Sequence, residues 1–194
     1  MTPLELAGNA FTLLSVWFAR RNSLHTWWAG LVGVTLYGFV FFEARLYADT
    51  ALQVFFFATC VAGWWQWAHG GPRRGELAIT RLSAPLRAAT ALAVVGGAVV
   101  AGFLFDRLTD AALPYADSFI LSGSVVAQLL MMRRKLEHWP IWICVDVMAV
   151  GVYSARSLYL TAVVYALLLA MCVQGIVIWR RQHGAARAAA AALP

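Results

Sequence analysis

Apolar residues in this chain fall into seven long runs separated by short polar breaks. The runs cover approximately 2–19, 26–43, 47–68, 86–105, 115–132, 139–154 and 158–179. Each approaches the roughly 20 residues that a helix needs to cross a bilayer. The runs are unbroken rather than alternating, so they do not suit the ~10-residue strands of an outer-membrane barrel. The pattern predicts an all-α integral membrane protein with seven transmembrane helices. The longest break holds Gly70-Gly71-Pro72-Arg73-Arg74-Gly75, a turn-rich basic stretch. The chain closes on an Ala-rich tail read as a fraying helix end.

Part of the pattern repeats. Leu46-Tyr47 returns as Leu158-Tyr159, an offset of 112. The same offset pairs Arg21 with Arg133, Leu24 with Leu136 and Trp27 with Trp139. It also pairs Ala58 with Ala170, Cys60 with Cys172, Val61 with Val173, Gly63 with Gly175 and Trp67 with Trp179. Ten identities at one offset, without a gap, mark spans two and three as repeats of six and seven, and by extension span one as a repeat of span five. Span four, with Ala93-Val94-Val95-Gly96-Gly97-Ala98, has no counterpart and reads as a linker. Three helices plus one linker return the second triplet to the same side of the membrane, so the repeats are parallel. This predicts a 3+1+3 architecture: a first three-helix bundle over 1–68, a basic loop and linker helix over 69–114, a second bundle over 115–180, and a tail over 181–194. In transporters of this symmetry the binding site is expected between repeats near the midplane.

Composition agrees with the pattern. Hydrophobic residues make up 62% and charged residues 12% of the chain, against roughly 45–50% and 25% in soluble domains. A soluble enzyme and a disordered chain are both excluded on that ground. The formal charge of +6 could suggest nucleic acid, but its distribution suggests membrane topology instead. Twelve Lys and Arg fall on one side of the seven spans; only Arg45, Arg107 and Arg156 fall on the other. The positive-inside rule then puts the N-terminus outside and the C-terminus in the cytoplasm. No Lys or Arg precedes Arg20, so no secretory signal is predicted and the first span stays in the mature protein.

Candidate chemistry is sparse. The three cysteines lie in apolar runs without CxxC spacing, and the four histidines lie in loops or at span ends. No metal site, disulfide framework or cofactor is predicted. No phosphate-binding loop or catalytic triad is evident, so no enzyme is predicted. Polar residues inside spans are costly and each needs a reason. Span six carries Trp142 and Asp146, four apart on one helix face, and Tyr153 continues that face. Asp146 is either the counter-charge for a cationic substrate or a protonated carboxyl bonded to a neighbouring helix. Span three presents Asp49, Gln53, Phe57, Cys60, Trp64 and Trp67 on one face. Gln53 offers an amide, and Phe57 and Trp64 offer flat surfaces for a ring. Trp64, Trp65 and Trp67 also fit an interfacial belt. Span five carries Asp117, Ser124 and Gln128 along one face; span one carries Glu5, Asn9 and Thr12. Tyr165 holds the repeat position of Gln53.

Several stretches carry a family likeness. One runs from Leu36-Tyr37-Gly38-Phe39 through Glu43-Ala44-Arg45-Leu46-Tyr47 to Leu52-Gln53-Val54-Phe55-Phe56 and Gly63-Trp64-Trp65-Gln66-Trp67. Another is Arg134-Lys135-Leu136-Glu137-His138-Trp139-Pro140-Ile141-Trp142, followed by Cys144-Val145-Asp146. These resemble the PnuC family of vitamin-precursor transporters, over nearly the whole chain. The resemblance implies a SWEET-like fold in a bacterial inner membrane, a homo-trimer among membrane lipids, and facilitated diffusion of nicotinamide riboside. A cytoplasmic kinase would then trap the vitamin. By motif, Trp142 and Gln53 would contact the ligand. Asp146 stands where the family's well-studied pattern has Asn. Its charge suits a cation such as nicotinamide riboside or thiamine better than neutral riboflavin. A non-transporting membrane scaffold is the alternative from another class.

Overall fold

The computed structural model describes residues 2–109 and 112–191. Among them lie seven α-helices: α1 (Pro3–Arg20), α2 (His25–Glu43), α3 (Tyr47–His69), α4 (Ala84–Leu108), α5 (Pro114–Met132), α6 (His138–Ala155) and α7 (Tyr159–Ala191). Each coincides with one of the seven apolar runs, and the all-α, seven-span class read from the sequence is the one observed. The ends of the predicted runs differ by only a few residues, except in α7. That helix continues through the basic and Ala-rich tail to Ala191, because Ala and Arg are strong helix formers. Ala192, the last residue of the Ala-rich run, lies outside the described residues.

By length and composition, α4, α5 and α7 are the described helices most clearly able to cross a membrane. The other four have 18 to 23 residues, which at 1.5 Å per residue also matches a ~30 Å hydrocarbon core. Large apolar side chains stay exposed along whole helices: Leu92, Val95, Val99, Val100 and Phe103 on α4, and Leu160, Val163, Leu167 and Val173 on α7. Such continuous exposure would be untenable in water and is what a lipid-facing surface requires.

The helices gather into two compact units. The first contains α1–α3, the short segment 132–134 and the described part of the chain from Val177 onward. The second contains the rest, so α4 clusters with α5–α7 up to Ile176. Within the second unit Ser122 Oγ of α5 donates to the Val94 carbonyl of α4 at 3.0 Å.

The repeat is written into the backbone. Four non-glycine residues with left-handed φ form two pairs 112 apart: Asn22 (59°) with Arg134 (50°), and Arg45 (60°) with Ser157 (58°). The α2–α3 turn is closed by Ala44 N to Val40 O, Arg45 N to Phe42 O and Leu46 N to Phe41 O. The α6–α7 turn is closed by Arg156 N to Val152 O, Ser157 N to Ser154 O and Leu158 N to Tyr153 O, the same bonds 112 residues on. Such left-handed caps satisfy carbonyls that a helix end leaves unpaired. Side-chain packing repeats as well. A Cβ on Gly63 would run into the Trp27 ring, and one on Gly175 would lie 2.5 Å from the Trp139 ring. Glycine is needed at both places because the indole lies directly on the helix backbone. Trp27, Trp67, Trp139 and Trp179 are all fully buried.

In the first unit the aromatic core is Trp27 edge-on to Trp67 at 5.1 Å, with Trp67 tilted against Trp179 at 5.6 Å. Trp179 Nε1 donates to the Ala19 carbonyl at 2.9 Å. Arg134 completes this cluster. Its guanidinium lies 4.4 Å from the Trp67 ring centre and donates to the Leu77 and Asn22 carbonyls, with Glu76 3.8 Å away. Burial pushes its pKa below the ordinary arginine value, and Glu76 opposes that shift. Arginine remains charged regardless.

Candidate functional site

The second unit carries the chemistry that most needs explaining. Asp146 sits mid-way along α6 with 2% of its surface exposed. It is on the buried face that also holds Val145, Ala149 and Val152. Cys172 of α7 lies near its carboxyl group, and Oδ2 has no hydrogen-bond partner. A buried carboxylate oxygen without a donor is expensive, because the water it lost has not been replaced. Trp142, one turn before Asp146, is half-buried. Tyr153, further along α6, stacks on Tyr165 of α7 with centroids 5.2 Å apart and planes 24° apart. Ser124 and Gln128 of α5 are buried polar residues in the same unit.

Asp117 begins α5, where its charge also suits the helix N-terminus. It is ion-paired with Arg156 at 2.6 Å, each side chain about a third exposed. Its repeat mate Glu5 instead closes a capping box with Thr2 at the start of α1. The two acids thus keep a terminal position in both repeats and take different partners.

In the first unit, Gln53 and Phe57 line an apolar groove of about 350 Å³ between α2 and α3, together with Thr35, Gly38, Phe42 and Thr50. Cys60 and Trp67, read onto the same face, go instead to the buried core, whereas Trp64 is 51% exposed and is not among the groove's lining residues. Trp65 is also exposed and stacks on His69 at 4.4 Å. Both exposed indoles suit an interfacial belt. Asn9 accepts from the Tyr37 hydroxyl at 2.6 Å, a polar contact between α1 and α2.

Two contacts were not read from the sequence. The approach of Cys172 to Asp146 joins residues of different helices with no spacing to betray it. The buried Arg134 was counted only as a loop charge; its repeat relation to Asn22 was the available signal, since both occupy the left-handed turn position. Among the described residues no group of three His, Cys, Asp or Glu could hold a metal ion.

Seven apolar helices built as two sequence repeats, with a buried carboxylate and polar side chains among them, fit a membrane transporter of the two-repeat class. The chain belongs to the Nicotinamide mononucleotide transporter family, whose pattern it matches over residues 2–181. It is 28% identical to the Nicotinamide riboside transporter PnuC of Escherichia coli (strain K12), covering 91% of this chain and 84% of that protein. It is 27% identical to the Riboflavin/roseoflavin transporter RibM of Streptomyces davaonensis, covering 90% and 83%. The crystal structure of the Vitamin B3 transporter PnuC shares its fold, with a TM-score of 0.74 and 23% identity over 93% of this chain and 82% of that one. The resemblance to the PnuC family is therefore borne out, and the chain is a transporter rather than an enzyme.

Proposed function

We propose that the protein carries nicotinamide riboside across a bacterial inner membrane by facilitated diffusion, and that a cytoplasmic kinase traps the vitamin after entry. The observation that carries this reading is Asp146: a fully buried carboxylate with an unpartnered oxygen, one helical turn from Trp142. A pyridinium ring is flat and cationic. Trp142 offers its face to such a ring, a contact of about 0.5–2 kcal/mol that strengthens when water is excluded. Asp146 supplies the counter-charge. Tyr153, Gln128 and Ser124 serve the same route as polar or stacking partners. Gln53 and Phe57, on their own groove, offer an amide for ribose hydroxyls or the carboxamide and a ring face. Asp117, at the outer end of α5, is proposed as a first contact for an arriving cation, and Trp64, toward the cytoplasmic end of α3, as a contact on its way out.

Relatives named for nicotinamide riboside support this substrate. The relative named for riboflavin supports a second reading, but riboflavin is neutral and gives Asp146 nothing to pair with. Thiamine, with its thiazolium, satisfies the charge argument and is the stronger alternative. The Lys and Arg distribution supports an outside N-terminus and a cytoplasmic C-terminus, and the family resemblance supports a homo-trimer. Equilibrative transport is supported by the lack of an ATP-binding motif in the sequence and of a paired acid–base relay within the spans.

The test is uptake into proteoliposomes. Labelled nicotinamide riboside should enter until inside and outside concentrations match, and should accumulate further only when a riboside kinase and ATP are enclosed. Accumulation driven by a proton or sodium gradient without the kinase would overturn the equilibrative mechanism. Transport of thiamine in preference to nicotinamide riboside would overturn the substrate.

A further inference from the structure

The α1–α2 turn and its repeat mate, the α5–α6 turn, share a left-handed residue, Asn22 in one and Arg134 in the other. Their surroundings differ. Just past the second turn the protein lays down its own chain. Leu136 N donates to the Thr80 carbonyl at 3.0 Å, Lys135 Nζ to Thr80 Oγ1 at 2.9 Å, and Leu82 N to the Glu137 carboxylate at 3.0 Å. Arg81 lies 3.9 Å from the same carboxylate, and Leu136 is buried. At the first turn Leu24, the mate of Leu136, is only half-buried, and Arg21, His25 and Trp28 are exposed.

The first turn carries a patch of rings and cations instead. The Arg21 guanidinium lies 4.0 Å from the Trp17 ring centre, and that of Arg20 lies 5.9 Å from it. Trp17 meets Phe18 edge-on at 5.0 Å, and Phe18 meets His25 at 5.3 Å and Trp28 at 6.1 Å. Phe18 thus joins the Arg21–Trp17 stack to the His25–Trp28 pair in one surface. Trp28 Nε1 donates to His25 Nδ1 at 3.0 Å. An indole N–H can only donate, so Nδ1 accepts and the imidazole offers its N–H at Nε2. No ion pair among the described residues involves Arg21. The repeat mates of Trp17, Arg20, His25 and Trp28 are Leu129, Met132, Glu137 and Pro140, which could not build such a patch.

We infer that this patch binds the phosphate of an anionic phospholipid in the leaflet that meets the α1–α2 turn. A guanidinium stacked on an indole keeps its N–H edge for two oxygens of a phosphodiester. Trp17 and Trp28 stand at the ends of two spans, where amphipathic rings sit at headgroup depth. Basic residues just beyond a span attract anionic headgroups, and no carboxylate of this chain neutralises Arg21 first. A zwitterionic headgroup brings its own cation, which Arg20 and Arg21 repel. At the second turn Glu137 would repel the phosphate, and the segment 80–82 is already bonded there. The protein closes one turn with its own chain and leaves the other to the lipid.

Native mass spectrometry of the purified full-length protein tests the inference, with dioleoyl phosphatidylglycerol and dioleoyl phosphatidylcholine as probes. Wild type should retain phosphatidylglycerol in preference to phosphatidylcholine. Arg21→Ala should weaken the tightest phosphatidylglycerol site about fivefold to tenfold, the scale of one bond to a charged group. It should leave phosphatidylcholine within about twofold. Arg21→Lys, which keeps the charge and loses the fork, should fall between wild type and Arg21→Ala. Arg133→Ala removes an exposed cation from the same position of the other repeat and should change phosphatidylglycerol less than about twofold. Equal retention of the two lipids by wild type, or an equal loss from Arg133→Ala, would overturn the site. Equal weakening of both lipids by Arg21→Ala, with a lower unfolding temperature in lipid-free detergent, would make Arg21 a packing residue. Inorganic phosphate that displaces phosphatidylglycerol at equal concentration would make a free anion, not a lipid, the occupant. None of these readouts involves the transported vitamin, so the substrate reading stands or falls separately.

Discussion

Asn22 and Arg134 turn the chain left-handed after α1 and α5; Arg45 and Ser157 do so after α2 and α6. Trp27 lies on Gly63 as Trp139 lies on Gly175. Three residues beyond those tryptophans the likeness is interrupted. Gly30 and Val34 of the first repeat correspond to Trp142 and Asp146 of the second, and Gln53 corresponds to Tyr165. The kept positions are those where the backbone leaves no choice: a turn that must reverse within a few residues, or a helix that must let an indole lie against it. The divergent positions, Trp142 and Asp146 among them, are those we propose to serve the ligand. The two repeats thus share a scaffold, and the charged chemistry is concentrated in one of them.

The shared scaffold should answer equally to equal insults. Trp27→Ala and Trp139→Ala each remove a fully buried indole, and each should destabilise the protein by about 3–5 kcal/mol. Denaturant titration in detergent, followed by circular dichroism, would measure both. A large loss in one repeat and none in the other would break the equivalence. Arg134 and Asn22 share a backbone turn but not a side-chain role, so here the repeats should differ. Arg134→Ala strips donors from the Leu77 and Asn22 carbonyls and a cation from the Trp67 ring, and should cost about 1.5–3 kcal/mol in the same titration. Glu76→Gln should cost under about 1 kcal/mol, because that partner is 72% exposed. The smallest effect sharpens the backbone comparison. Arg45→Gly and Ser157→Gly relieve a left-handed residue of its Cβ and should each stabilise by about 0.5–1 kcal/mol. Destabilisation at either would mean that its side chain matters more than its φ.

Much of this architecture was legible in the sequence because bilayer thickness and backbone saturation leave helices few alternatives. The seven spans, the 112-residue offset and the unpaired fourth helix follow from apolar run length and identity alone. The candidate site was legible only one helix at a time. Trp142 and Asp146 share a face by periodicity, yet periodicity cannot tell that Asp146 meets Cys172 or that Asp117 pairs with Arg156, since those contacts depend on how neighbouring helices rotate. The same limit explains α3. Asp49, Gln53, Phe57, Cys60, Trp64 and Trp67 do share one stripe, since a helix drifts only about 20° per heptad, but side chains at different heights on one stripe meet different neighbours. Cys60 and Trp67 went to the core, Gln53 and Phe57 to a groove, and Trp64 to the surface. Arg134 marks a different limit: a basic run beside a span signals topology, and only the aromatic cluster beneath it makes burial of one of its members favourable.

The proposed recognition of a cation rests on one charge, Asp146, placed in one repeat. Asp146→Asn keeps the shape and the hydrogen-bonding capacity of the side chain and removes only the charge. Binding of nicotinamide riboside and of its neutral 1,4-dihydro form to wild type and Asp146→Asn, measured by calorimetry under one buffer condition, tests that claim most directly. The charge account predicts about a tenfold loss for the cation, equivalent to about 1.4 kcal/mol, and less than a twofold change for the neutral form. Equal losses for both would mean that Asp146 acts through hydrogen bonding alone, and no loss for either would contradict its role in recognition.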